Sequence, residues 1–165
     1  MNTKVQCMCD RKKGNGRGFT LIEVLVVIGI IAILATIVLV AVNPARQFKL
    51  ARDLQRTSNV NAILNAIHQN MSEHKGRLVC LGTPLELVEA PTVMRSSTTP
   101  GDPGNLAACL VPDYISSLPF DPSADGTYFN DAGDYDTGYM VNRDSDGRII
   151  VSSVGELTPS ISVTR

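Results

Sequence analysis

Phe19–Val42 reads FTLIEVLVVIGIIAILATIVLVAV, and this stretch decides how the rest of the chain is organised. From Val24 to Val42 it holds 19 consecutive residues without a charge. A helix rises about 1.5 Å per residue, so this run would extend roughly 28 Å, close to the hydrocarbon thickness of a bilayer. A core helix in a protein of 165 residues would keep one polar face, and this run has none. The sequence therefore predicts a membrane-spanning helix.

The flanks of this helix indicate its orientation. Residues 1–18 carry five basic side chains and one acid, which favours a cytoplasmic N-terminus with the chain from Asn43 onward outside. A cleaved secretory signal has a shorter apolar stretch followed by a small-x-small site, which the exit Val40–Pro44 does not provide. By hydropathy alone, an uncut signal-anchor explains the segment.

Glu23 is an ionisable group inside the apolar run. A carboxylate in a membrane helix costs a few kcal/mol on insertion scales and usually marks a functional group with a specific partner. A simple signal-anchor has no use for it. The alternative is that Glu23 lies close enough to the cytoplasmic interface to reach water.

The segment around Glu23 resembles a known processing site. Arg17–Val24 reads RGFTLIEV. A glycine followed by Phe-Thr-Leu-Ile-Glu, after a short basic leader and before a long apolar run, resembles the cleavage site of type IV prepilins and type II secretion pseudopilins. The resemblance extends from Arg17 to about Val42. It implies that a prepilin peptidase cuts after Gly18, that the amine of Phe19 is methylated, and that Glu23 neutralises the N-terminal amine of a neighbouring subunit.

The resemblance also implies a function. We expect a structural subunit and not an enzyme, which passes once through the cytoplasmic membrane with its N-terminus inside and then joins an extracellular or periplasmic filament. The implied partners are copies of itself, related pilins, the prepilin peptidase and an inner-membrane assembly platform. Pilus, secretion pseudopilus and competence filament all remain open. The alternative is a monomeric, membrane-tethered binding module with an acidic head outside.

Helical periodicity resumes after Asn43. Apolar residues at three- and four-residue steps, such as Val60, Ile63 and Ile67, predict that one helix runs from about Phe19 to Lys75. Asn43-Pro44 suits a break or kink, with Asn43 as an N-cap and Pro44 at the first helical position. The opposite face carries a basic stripe, which is a solvated surface or a contact for the acidic block of a neighbour: Arg46, Lys49, Arg52 and Arg56.

Residues 77–165 predict a small head with an antiparallel sheet. The pattern indicates an edge strand at 77–81, a proline-rich loop at 82–105, a short helix within 105–118 and a strand near 127–130. A final hairpin pairs 137–143 with 148–154 around the turn 144–147. The fold class is α+β, a helical spine with a small sheet head that matches the pilin-like α/β roll. The expected segments are a leader at 1–18, an assembly helix at 19–42, an amphipathic helix at 43–76 and the head at 77–165.

The head is acidic and holds two of the four cysteines. Leu78–Arg165 has twelve acidic and four basic residues, which argues against direct binding of nucleic acid. Removal of the leader would leave Cys80 and Cys109, both exported, where a disulfide is permitted. This bond would close a loop of roughly 30 residues and stabilise the head by roughly 3–4 kcal/mol. The alternative is two buried, reduced thiols.

One calcium-like pattern is present in the last hairpin. Asn142, Asp144, Asp146 and Gly147 match positions 1, 3, 5 and 6 of an EF-hand loop, but the twelfth position is Ser153 instead of glutamate. A hairpin turn surrounded by solvated acids explains the same residues. No set of residues in the sequence has the pattern of a catalytic site, so Ca²⁺ at this turn is the one cofactor that the sequence suggests, and otherwise none is expected.

Overall fold

A computed structural model describes residues 18–165. Most of the expected leader, including Cys7 and Cys9, lies outside these residues. The chain divides into two compact units between Asn43 and Pro44. In chain order the elements are α1 (Leu21–Val42), α2 (Pro44–Glu73), β1 (Val79–Cys80), β2 (Thr83–Pro84), β3 (Thr92–Arg95), α3 (Ala107–Leu110), β4 (Tyr128–Asp131), β5 (Asp134–Arg143), β6 (Ile149–Ser153) and β7 (Ile161–Thr164).

The predicted break at Asn43-Pro44 is confirmed, but Asn43 has a different role from the one expected. It has left-handed backbone angles (φ 46°, ψ 75°) and forms the C-cap of α1, whereas the sequence analysis made it the N-cap of the next helix. The reason is steric: a residue before proline is pushed out of the right-handed helical region, and asparagine tolerates the left-handed one. Pro44 then begins α2, where its missing N–H costs nothing.

The second unit contains a five-stranded antiparallel sheet. Its strands lie in the order β3-β5-β6-β7, and β4 pairs with the first part of β5. The predicted C-terminal hairpin is confirmed, with Val141 opposite Val151 and Arg143 opposite Ile149. β1 and β2 form a separate two-residue ladder, in which Cys80 lies opposite Thr83. Together with the helices, this gives the expected α+β, pilin-like architecture.

The core lies between α2 and the sheet. One face of α2 buries Val60, Ile63, Leu64 and Ile67, which are at most 1% exposed. Alternate residues of β5 point toward this face of α2. Two of them, Tyr135 and Tyr139, are the largest fully buried side chains among the described residues. This alternation is what a strand with one covered face requires. The core therefore begins near Val60 and leaves the first turns of α2 outside it.

Three details of the second unit differ from the sequence analysis. β3 forms inside the expected proline-rich loop, and β7 was not predicted at all. Leu81 belongs to a two-residue turn, since it and Gly82 have positive φ, so the expected edge strand stops at Cys80.

Candidate functional site

The predicted cleavage position lies just before α1. Gly18, Phe19 and Thr20 are outside the helix, and the side chain of Phe19 is 80% exposed. Thr20 has extended backbone angles (φ −81°, ψ 149°), and its Oγ1 accepts a hydrogen bond from the backbone N–H of Glu23 at 3.2 Å. Thr20 is therefore the N-cap of α1, and the helix begins two residues later than predicted.

Glu23 is the third residue of α1 and completes a capping-box sequence with Thr20. In such a box, serine or threonine at the cap precedes glutamate or glutamine by three positions. The negative charge also lies in the first helical turn, where the helix dipole favours it. The sequence signal for this arrangement is the spacing Thr-x-x-Glu, which the interpretation of Glu23 from the sequence did not use.

All residues of α1 are exposed, and the helix is long and apolar enough to cross a membrane. Its mean hydropathy over 18 residues is 3.3. Thr36, the polar residue in mid-helix, donates its hydroxyl to the carbonyl of Ala32 at 2.9 Å. The surface that α1 offers to lipid or to another helix is therefore almost entirely apolar.

The main electrostatic feature of the second unit is the Arg56 cluster, formed by Arg52, Asp53, Arg56, Asp121 and Glu156. Arg56 is 3% exposed, although its place on the basic stripe predicted a solvated surface or a contact with a neighbour. Its Nε and Nη2 donate to the two carboxylate oxygens of Asp121 at 2.7 and 2.9 Å. Nη1 donates to Asp53 at 2.8 Å. Arg56 was misassigned because two of its three carboxylate partners, Asp121 and Glu156, lie 65 and 100 residues further along the chain.

Asp53 joins α2 to the segment that precedes β7. Its two carboxylate oxygens accept the backbone N–H groups of Glu156, Leu157 and Thr158 at 2.8, 2.8 and 3.1 Å. Burial tends to raise the pKa of Asp53, but these hydrogen bonds and Arg56 outweigh it and lower the pKa to about 2. The carboxylate is thus charged at every physiological pH.

Glu156 is held ionised mainly by Arg52, and Asp121 by Arg56. Arg52 donates to both carboxylate oxygens of Glu156, and this contact is the main reason that the pKa of Glu156 falls to about 2. Burial tends to raise the pKa of Asp121, and Arg56 with the N–H groups of Ser123 and Ala124 lowers it below its ordinary value. Arg52 and Arg56 are therefore paired with carboxylates of their own chain, whereas the sequence had suggested them as contacts for a neighbouring subunit.

The Cys80–Cys109 disulfide is present and links β1 to α3. Asn70 supports the same junction from α2, where it is 1% exposed. Its Nδ2 donates to the carbonyls of Val79 and Cys109 at 2.9 and 3.0 Å, and its Oδ1 accepts the N–H of Val79 at 2.9 Å. A covalent bond and a buried amide thus hold both ends of the segment 80–109 against α2.

The calcium-like residues do not converge on one point. Arg148 donates to Asp144 at 2.8 Å and to Asp146 at 3.0 Å, so its guanidinium lies where a cation would be needed. Asn142 instead donates to the carbonyl of Glu89 at 3.1 Å. Within residues 18–165, no group of three or more His, Cys, Asp or Glu side chains is arranged to hold a metal ion. The turn has the geometry of a hairpin closed by an arginine.

Comparison with known proteins identifies one part of the chain. Residues 13–39 match the family model described as the prokaryotic N-terminal methylation motif. No curated protein and no solved structure matches the chain. The matched range contains Gly18, Phe19 and Glu23 and most of α1, so the resemblance found in the sequence is confirmed. The chain carries, at residues 13–39, the N-terminal signature of type IV pilins and pseudopilins.

Proposed function

We propose that this protein is the precursor of a structural subunit of a type IV pilus-like or pseudopilus filament. A prepilin peptidase hydrolyses the bond between Gly18 and Phe19 on the cytoplasmic side, and the new amine of Phe19 is methylated. The subunit then leaves the membrane through an assembly platform and joins copies of itself and related pilins. The observation that carries this proposal is the methylation motif at residues 13–39.

Glu23 has a physical role in this scheme. Cleavage creates a cation at the end of an apolar helix, and a carboxylate in the first turn of a neighbouring α1 can neutralise it where both are poorly solvated. Loss of one partner of a buried ion pair typically costs about 3–5 kcal/mol, so subunits out of register would be penalised. The exposed, apolar surface of α1 would pack in the centre of the filament.

The second unit supports a structural role outside the cytoplasm. The Cys80–Cys109 disulfide requires an oxidising compartment, and the Arg56 cluster is satisfied within the chain. Neither feature supplies a reactive group, because the cysteines are bonded to each other and the carboxylates are hydrogen-bonded and ionised. We therefore assign the head a scaffolding role.

Intact-mass analysis of membrane and sheared surface fractions tests this function. We expect a chain that begins at methylated Phe19 in the sheared fraction, and we expect Glu23→Ala to abolish that fraction. A chain that keeps residues 1–18 and stays in the membrane whatever residue 23 is would refute the proposal and support the tethered binding module.

Gly18→Val tests the cleavage step separately. A Cβ at Gly18 meets no atom of the described residues within 4 Å, so the substitution disturbs no contact within residues 18–165. Loss of processing in this variant would therefore report on the peptidase. Gly29→Ala is the matched control, because a Cβ at Gly29 is equally free within the chain and lies far from the bond to be cut. We expect it to be processed normally.

A further inference from the structure

The start of α1 is fixed by hydrogen bonds that leave two carbonyls free. The carbonyl of Thr20 accepts the N–H groups of Glu23 and Val24 at 3.1 and 3.3 Å. Thr20 therefore supplies the first carbonyl of the helical ladder. Among the backbone hydrogen bonds of the described residues, none ends on the carbonyl of Gly18 or Phe19. The peptide between these two residues remains outside the helix.

This position matters for the reaction proposed above, on which the present inference rests. Hydrolysis adds one water molecule across the Gly18–Phe19 amide and yields a carboxylate on Gly18 and an amine on Phe19. The carbonyl oxygen of Gly18 must accept hydrogen bonds from the peptidase as negative charge develops on it. An oxygen already bonded inside a helix is directed along the helix axis and is not available for this.

A competing helix start lies two residues upstream. Glycine is about as good an N-cap as threonine, so Gly18 could cap a helix that begins at Phe19. The carbonyl of Gly18 would then accept the N–H of Ile22, and the bond to be cut would enter the first turn. The hydrogen bond from Glu23 to the hydroxyl of Thr20 favours the later start, and glutamate at the third helical position favours it further.

We propose that Thr20 is a positioning residue for precursor cleavage: its cap keeps the Gly18–Phe19 peptide outside the helix, with the Gly18 carbonyl free for the peptidase. Alanine is the best helix former and one of the poorest caps, so Thr20→Ala would shift the helix start toward Gly18. Serine restores the capping hydroxyl, which makes Thr20→Ser the matched control.

The experiment uses the full-length precursor together with its own peptidase in membranes or detergent. We expect Thr20→Ala to be cleaved about fivefold more slowly than the natural chain, which corresponds to the ~1 kcal/mol of a lost cap, and Thr20→Ser to be cleaved at the natural rate. Hydrogen exchange of the uncleaved precursors supplies a second readout. The amide of Ile22 should gain protection in Thr20→Ala and not in Thr20→Ser.

Each outcome decides one of the two proposals. If the natural precursor is never cut after Gly18, the proposed function fails. If the natural precursor is cut and Thr20→Ala is cut equally fast, the positioning role fails and the function stands. If Thr20→Ala or Thr20→Ser is slow while the Ile22 amide exchanges as in the natural chain, the peptidase reads the side chain directly, which also overturns the positioning role.

Discussion

Replacing Arg56 by methionine removes the cation that Asp53 and Asp121 share. These carboxylates are 4% and 5% exposed, so neither can be rehydrated without opening the fold. Breaking a buried ion pair by removing one partner typically costs about 3–5 kcal/mol. A head of this size has a free energy of unfolding on the order of 10 kcal/mol. The substitution would therefore remove about a third to a half of the stability.

Urea unfolding of the full-length chain in detergent, followed by near-UV circular dichroism of the buried tyrosines, measures this loss. With a slope near 2 kcal/mol per M, Arg56→Met should lower the midpoint by about 2 M. The midpoint of Arg56→Lys should lie between those of the natural chain and Arg56→Met, because one ammonium cannot reproduce the paired hydrogen bonds to Asp121. Arg95→Met is the control, since Arg95 is exposed on β3 and should change the stability by less than about 0.5 kcal/mol. An Arg56→Met variant that unfolds within 1 kcal/mol of this control would refute the argument.

Three further outcomes follow from the second unit. The pKa values of Asp53 and Glu156 fall to about 2 from ordinary values of 3.8 and 4.5. Their contribution to stability should therefore be complete above about pH 5 and disappear as the pH falls toward 2; urea midpoints that stay constant down to pH 2 would contradict this. Replacing Cys80 and Cys109 together by serine should cost roughly 3–4 kcal/mol, measured by the same unfolding assay, and an unchanged midpoint would show that the bond adds nothing. Because Arg148 already binds both turn carboxylates, millimolar Ca²⁺ should leave the thermal midpoint unchanged, and a rise in that midpoint would restore the calcium interpretation.

The sequence was most informative where its signals are local. The apolar run of α1 and the hairpin around Asp144–Gly147 depend on neighbouring residues, and both are confirmed. The break at Asn43-Pro44 was also located correctly, because the restriction before a proline acts within two residues. Gly18, Phe19 and Glu23 also lie within one short string, which is why the methylation motif is recognisable from local sequence.

The features that were missed depend on distant parts of the chain. β3 is four residues long and forms only because β5, about 40 residues later, supplies its partner. In the first turns of α2, too, distant residues decide which side chains are buried. Helical periodicity alone would turn Phe48 toward the core, but Phe48 is 65% exposed, while Arg56 is buried. Periodicity could not reveal this, because the choice of face depends on carboxylates near the other end of the sequence.

The Asp53 contacts also constrain the order in which the chain can fold. Asp53 is synthesised about 100 residues before the three N–H groups that satisfy it. Closing such a long loop is entropically costly, and contacts of this kind form late. Until residues 156–158 have arrived, the carboxylate of Asp53 lacks its three backbone donors and has Arg56 of the same helix as its partner, so the junction between α2 and the segment before β7 stays open. A chain interrupted shortly before Glu156 would expose this unfinished junction, and proteases that degrade incomplete proteins would be able to cut it.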